Sequence, residues 1–312
     1  MKKTVVTLQT WIDQTLEADP PRAKSLCVTL LGDAIEPHGG SLWLSDLIQL
    51  VAPLGINERL LRTSVFRLVA QGWLQSERHG RRSLYRLTEA GQEMTRQASE
   101  RIYQGTSSEW DDDWTLVVLP RFGNSSLEGR ADIRKELVWA GFGALAPGIF
   151  ALPRRKAALA HKLLKLQGLE EQALVLGAHD MNQGKGLALT SLIDQCWDIQ
   201  GVSEQYEAFN TRFEPLEALL ACSRPHPVQA YVLRTMVLHS WRRTVLHDPQ
   251  LPLQMLPSDW PGIKARMLCS RLYWTLFDGS ERHLETVLGE EPLHFQPLPT
   301  EVWTRFGGRQ AD

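Results

Sequence analysis

Between residues 22 and 36 the apolar positions Leu26, Val28, Leu30 and Ala34, together with Thr29, recur at spacings that line one buried helix face. Pro37-His38-Gly39-Gly40 stops that pattern. Trp43 and Leu44 then precede Ser45, which predicts an N-cap at Ser45 and a short helix through Leu47, Ile48, Leu50 and Val51, ended by Pro53 to Gly55. Asn57 predicts the cap of the next helix, which carries Leu61, Val65, Leu68 and Val69 inward and stops at Gly72. Helix, short turn, helix is the helix-turn-helix pattern, whose second member enters a DNA major groove. The period then changes. Trp73 to Arg78 reads as a strand, His79-Gly80-Arg81-Arg82 as a tight turn, and Ser83 to Leu87 as the returning strand. Thr88 predicts the cap of a helix to about Tyr103, with Glu89 in its first turn. The whole is a winged helix, expected to span residues 1–105.

Gly105 to Asp113 is polar and acidic and predicts a linker. Beyond it, Trp114 to Leu119 is a β-branched apolar run that predicts a buried strand. Arg130 to Ala140 predicts a helix, Gly143 to Leu152 one or two strands, Arg155 to Leu166 a helix and Gln172 to Leu176 a last strand. This alternation predicts a small ferredoxin-like domain over 110–180. Gly177 to Gly186 reads as a second linker; Gly184-Lys185-Gly186 lacks both the spacing and the Ser or Thr of a phosphate loop. From 187 to 312 apolar periodicity predicts helices at 187–200, 202–221, 227–246 and 262–277, with proline-rich connectors at 248–261 and an irregular tail. The fold class is α+β in three parts: an N-terminal winged helix-turn-helix, a central ferredoxin-like α+β domain and a mostly helical C-terminal domain.

Charge is unevenly spread. The 312 residues carry a net charge of −2, yet Asn57 to Leu87 holds seven arginines against two glutamates, a local +5 set against −7 elsewhere. A basic patch on an acidic body binds phosphate on one face alone. No apolar run reaches the ~20 residues of a membrane span, and no apolar signal-peptide core follows Lys2 and Lys3. Cys27, Cys196, Cys222 and Cys269 are far apart and form no CxxC pair, so neither a zinc site nor a disulfide framework is expected, and the compartment expected is the reducing cytoplasm. The nine histidines are scattered; His239 and His247 lack metal-ligand spacing, and no metal or catalytic residue is assigned.

On a helical wheel the side of the 57–72 helix opposite Leu61, Val65 and Leu68 presents Arg59, Thr63, Phe66 and Arg67, with Arg62 on its flank. Arginine matches the O6 and N7 edge of guanine, and Thr63 suits a phosphate or a thymine methyl. A solvated helix face would also carry arginines. The hairpin weighs against that reading, because Arg81 and Arg82 sit at its tip, where a wing follows the backbone or enters a narrow minor groove. Arg59, Arg62, Thr63, Arg67, Arg81 and Arg82 are the predicted contacts to double-stranded DNA.

Several segments also carry a family resemblance. Leu61-Arg62-Thr63-Ser64-Val65-Phe66-Arg67-Leu68, Gly72-Trp73-Leu74 and Gly80 to Leu87 resemble the PaaX family of repressors of phenylacetic acid degradation operons. The likeness continues through Leu137 to Pro147, Trp241-Arg242-Arg243, Asp248-Pro249, Leu251-Pro252, Leu256-Pro257, Trp260 and Arg305-Phe306-Gly307-Gly308, and so covers nearly the whole chain. It implies a homodimer on operator DNA, released by phenylacetyl-CoA. No residue pattern marks an active site, so neither a cofactor nor enzymatic activity is expected. The middle domain of such proteins resembles CRISPR-associated nucleases that carry an Asp at the end of the first strand; this chain has Leu119-Pro120 there.

For such an acyl-CoA effector, Trp241 is a candidate to stack on adenine, and Arg242 and Arg243 to bind phosphate. Arg154 and Arg155, beside Lys156, form a second candidate. The same residues also suit a core tryptophan and arginines paired to acids such as Asp248. Two other functions stay open on sequence grounds: an acyl-CoA-binding enzyme with an appended DNA-binding domain, and a ligand-independent DNA-binding protein.

Overall fold

The computed structural model describes residues 7–105, 110, 112–119, 127–154, 156–179, 181, 189–289 and 295–309. The linker residues 106–109 and 111, Pro120, Arg155 and Gly184-Lys185-Gly186 lie outside them. The chain divides into two compact units that are not contiguous in sequence. One comprises 1–105, 207–243 and 263–312, the other 106–206 and 244–262. Segments of the region 187–312 therefore fall in both.

The first unit opens with α1 (Leu8–Ala18), an element the sequence pattern did not suggest, whose Leu8, Trp11 and Ile12 are buried. Next comes α2 (Ala23–Leu30), continued by a π-helical turn, Leu31–Ile35, and a 3-10 turn, Glu36–His38. Leu26, Thr29, Leu30 and Ala34 are buried as expected. Ser41–Trp43 forms β1, an unanticipated third strand paired antiparallel to the hairpin. That pairing moves the helix start. The helix α3 (Leu44–Val51) is capped by the extended backbone of Trp43, and the Ser45 hydroxyl donates to the adjacent Asp46 carboxylate at 2.9 Å. A 3-10 turn, Ala52–Leu54, leads to α4 (Glu58–Ala70), capped as expected by Asn57, which accepts from the Leu60 amide at 3.0 Å.

The hairpin β2 (Leu74–His79) and β3 (Arg82–Leu87) turns through two residues only. His79 and Arg82, expected in the turn, are its last register pair, so Gly80 and Arg81 make the tip. Gly80 has φ of +60°, which a side chain there would strain. In α5 (Glu89–Tyr103), Thr88 is the cap, and its hydroxyl also donates to the Gly72 carbonyl at 2.5 Å. Gly91 sits so close beneath the strand entry that a Cβ would overlap the Trp73 carbonyl.

Three later elements complete this unit: most of α9 (Ile199–Cys222), most of α10 (Pro227–Val245) and α11 (Pro261–Leu288), followed by a 3-10 segment, Thr300–Gly307. The sequence placed α11's end near 277 and an irregular tail beyond. Instead α11 runs eleven residues further and the tail buries Val302, Arg305 and Phe306. The helix α10 is stitched to the winged helix at three places. Tyr231 donates to the Leu50 carbonyl at 3.0 Å, His239 meets the Thr29 hydroxyl at 2.9 Å, and the Trp241 indole donates to the Ile102 carbonyl at 2.9 Å.

Beneath them lies a buried charge cluster. The Asp33 carboxylate accepts from Tyr103 at 2.8 Å and from Arg305 at 2.9 Å, and it pairs with Arg234 at 3.0 Å. The same Arg234 donates to Glu281 at 2.5 Å, and Glu281 also meets His38 at 2.9 Å.

In the second unit, β4 (Trp114–Val118), α6 (Leu127–Trp139), β5 (Gly143–Ala146), β6 (Ile149–Leu152), α7 (Ala157–Leu166) and β7 (Leu174–Ala178) form an antiparallel sheet in the order β5-β6-β4-β7. This is the βαββαβ order of a ferredoxin-like domain, as expected. Val117, Ile133, Leu137, Phe142, Phe150 and Leu164 form its core. A short α8 (Ile193–Cys196) precedes α9, and Trp197 between them donates to the Gly141 carbonyl at 2.9 Å.

Burial works against a charged Glu281, but Arg234 beside it and hydrogen bonds from His38 and Arg234 outweigh this and hold its pKa down to about 2. A depressed carboxylate contributes stability above its unfolded pKa near 4.5, and that contribution is lost as pH falls from there toward 2. For Glu281 it amounts to about 3 kcal/mol. Glu281→Gln should therefore lower the urea midpoint at pH 7 and show a shallower decline than wild type between pH 4.5 and 2. Parallel declines would contradict the assignment.

Candidate nucleic-acid interface

The helix α4 is fixed by its buried side, where Leu61, Val65 and Leu68 are at most 1% exposed. Its cap and this apolar stripe leave Arg59, Arg62, Thr63, Phe66 and Arg67 exposed on the opposite side, as the wheel predicted. The six predicted DNA contacts are not equivalent. Arg62 is held by Glu58 one turn earlier, at 2.6 and 2.8 Å. Thr63 turns its hydroxyl back to the Arg59 carbonyl at 3.0 Å. The side chains of Arg59 and Arg67 have no hydrogen bond or ion pair among the described residues, so their guanidinium donors face solvent.

The wing shows the same division. Arg82 lies over the Trp43 ring, 3.9 Å from its centroid, which braces β3 against β1 and directs this arginine along the sheet. His79 packs edge-on to the same ring and meets Glu77 at 3.1 Å. Arg78 is folded onto the Gly80 carbonyl at 3.2 Å. Arg81, at the tip, is exposed and has no partner among the described residues. Trp43 is the residue that sequence reasoning missed. Nothing local links it to an arginine 39 positions later; only the β1–β3 pairing does.

The candidate effector residues divide between the two units. Trp241 is 2% exposed, with its indole spent on the Ile102 carbonyl and its ring against Phe209 and Phe306. An adenine would reach it only by displacing one of those rings. Arg243 is exposed and pairs with Asp19 at 3.6 Å, and Asp248 accepts from Tyr206 at 2.6 Å. Arg242 is half-buried, and burial lowers its pKa. It lines a small cavity with Thr29, Gly32, Thr95, Ile102 and Leu238. That cavity, about 20 Å³, has room for about one water molecule. Arg154 folds onto the Gln250 carbonyl at 2.7 Å, and Arg155 is outside the described residues. Burial pushes the His239 pKa down to about 4, with Arg243 and Arg242 adding to the effect, so this ring is neutral at pH 7.

Comparison with known proteins gives three ordered matches. They are PaaX-like protein over residues 22–91, the PaaX protein central Cas2-like domain over 107–189, and the PaaX-like protein C-terminal domain over 197–286. The chain belongs to the PaaX-like family. Transcriptional repressor PaaX of Escherichia coli (strain K12) is 36% identical over 311 residues, spanning 96% of this chain and 95% of its own. That relative is a transcriptional repressor, in agreement with the non-enzymatic reading of the sequence. An uncharacterized protein from Mycobacterium tuberculosis shares the fold, with a TM-score of 0.51 at 23% identity over 83% of this chain and 97% of its own. The first PaaX-like region contains the entire cationic face, from Arg59 to Arg86. Among the described residues no helix is long and apolar enough to cross a membrane, and no group of His, Cys, Asp or Glu is placed to hold a metal ion.

The free arginines of α4 and of the wing tip should behave differently in binding titrations. Arg67→Ala should cost roughly 1–3 kcal/mol and relax base preference at one position, as loss of a guanine contact does. Arg81→Ala should weaken all sequences evenly and reduce the salt slope by about 1. Equal effects of both changes on matched and mismatched duplexes would remove the distinction between reading helix and wing.

Proposed function

We propose that this PaaX-like protein is a DNA-binding transcriptional repressor of phenylacetate catabolism genes that acts as a homodimer and leaves its operator when phenylacetyl-CoA binds. The observation that carries the reading is the solvent-facing cationic surface of α4 and the wing tip, on a chain whose remaining charge is negative. Full-length similarity to a transcriptional repressor supports the same conclusion. One recognition helix covers too few base pairs to specify an operator, so two copies on a pseudo-palindrome are required, with half-sites about one helical turn, or a multiple, apart.

Release requires a ligand that binds the DNA-free form better than the bound form, and DNA must then weaken the ligand by the same factor. Arg242 is the most suitable of the candidate phosphate contacts, because among the described residues it has no hydrogen bond or ion pair and it borders the space between α2, α5 and α10. As it stands, that space is far below the ~300 Å³ of a small-molecule site. A CoA thioester entering there has to part α5 from α10. Such a movement would break the Trp241–Ile102 bond and shift the base of the winged helix, which is a direct route from ligand to DNA.

Gel-shift titration on the chain's own upstream DNA provides the test. Phenylacetyl-CoA should dissociate the complex, free phenylacetate should not, and Arg242→Ala should blunt the response without lowering affinity in its absence. A complex indifferent to phenylacetyl-CoA would leave a ligand-independent DNA binder. Sedimentation should show two copies per operator; one copy would refute the dimer.

A further inference from the structure

Phe66 is 74% exposed at the centre of the α4 face that carries the arginines. Arg62 and Thr63 precede it by four and three residues and Val69 and Ala70 follow by three and four, so these border its ring on the helix surface, and Arg59 lies two turns earlier on the same face. Holding a large aromatic side chain in water forgoes roughly 1.5–3 kcal/mol of burial, so its position calls for a partner that covers it. A protein-binding patch would have an apolar centre depleted of charge. Here Arg59 and Arg62 share the face with the aromatic ring, which suits a partner that is anionic at its edges and offers an apolar group at its middle. The major groove meets that description, because phosphates flank it and the 5-methyl of a pyrimidine is its one apolar feature.

We propose that Phe66 packs on the 5-methyl group of a thymine in each half-site, and so sets sequence preference at a base that no arginine reads. The proposal rests on the DNA-binding reading above and deepens it. Thr63 has its hydroxyl hydrogen committed to the Arg59 carbonyl, so it does not donate a competing hydrogen bond to a base edge at the same step. A 5-methylcytosine offers the same methyl, and the experiment separates the two.

The probe is a duplex selected by the wild-type chain from a random-sequence pool. Each thymine is replaced in turn by uracil, which removes the methyl and leaves pairing intact. At one thymine per half-site, uracil should weaken the wild type by roughly threefold to fivefold, the value of one buried methyl. Phe66→Ala should bind less tightly and be indifferent to uracil there, while Phe66→Leu should keep part of the sensitivity. Replacing that T·A pair by 5-methylcytosine·G should restore less affinity than thymine; full restoration would show that the methyl alone, and not thymine, is read, and would overturn the assignment to thymine. Because Phe66 is on the surface, matched thermal midpoints of the variants exclude unfolding. If no thymine responds, or if Phe66→Ala keeps the full uracil effect, the proposal falls while the repressor reading stands. If the wild type selects no duplex at all, both fall.

Discussion

The carboxylate of Asp33 is the constraint around which the first unit is organised. It sits in the π-helical turn that extends α2 and is 8% exposed. Burying a carboxylate costs several kcal/mol unless charge and hydrogen bonds compensate it. Compensation comes from Tyr103 at the end of α5, Arg234 on α10, Tyr273 on α11 and Arg305 in the tail. Three of these four donors are more than 200 residues from the group they serve. The winged helix therefore cannot satisfy its own interior; the C-terminal helices are part of its core rather than an appendage to it.

That arrangement links the DNA-facing surface to the rest of its unit. The helix α4 packs its apolar side inward, and α10 holds α2, α3 and α5 through hydrogen bonds to Thr29, Leu50 and Ile102. Each such bond is worth only about 1 kcal/mol net, but breaking one without a substitute leaves a buried polar group unpaired, which costs more. A disturbance of α10 thus reaches the winged helix through these three buried hydrogen bonds. The same rigidity holds Arg59, Arg67 and Arg81 at fixed places on the surface, with their donors facing solvent.

The arginine-rich stretch also shows how charge count and charge availability differ. The stretch contains seven arginines, yet Arg62 is engaged by Glu58, Arg78 by a turn carbonyl and Arg82 by Trp43. Exposed ion pairs such as Arg62–Glu58 are weak, so Arg62 can exchange Glu58 for a phosphate at little cost. Stacked on an indole, Arg82 serves first to hold the wing in register. A phosphate meeting α4 and the wing tip encounters ready donors at Arg59, Arg67 and Arg81, with Arg62 held in reserve.

Much of this was legible in the chain. Period 3.6 and then 2, with Asn57 and Thr88 at the right places, specified α4, the hairpin and α5, because local caps and turns depend only on neighbours. The βαββαβ alternation specified the ferredoxin-like domain for the same reason. Other features depend on partners distant in sequence. β1 exists because Ser41 to Trp43 pairs with residues 84–86, and that pairing displaced the expected cap at Ser45. Trp241, which the expected CoA effector made a candidate for stacking on adenine, became a core residue once Phe209, Phe306 and the Ile102 carbonyl closed around it. Arg305, in a tail with no periodicity to read, became a structural cation because a buried carboxylate 272 residues earlier needed one. Sequence determines which local elements form and which faces are apolar; only tertiary structure decides which charged groups are spent inside and which are left to act.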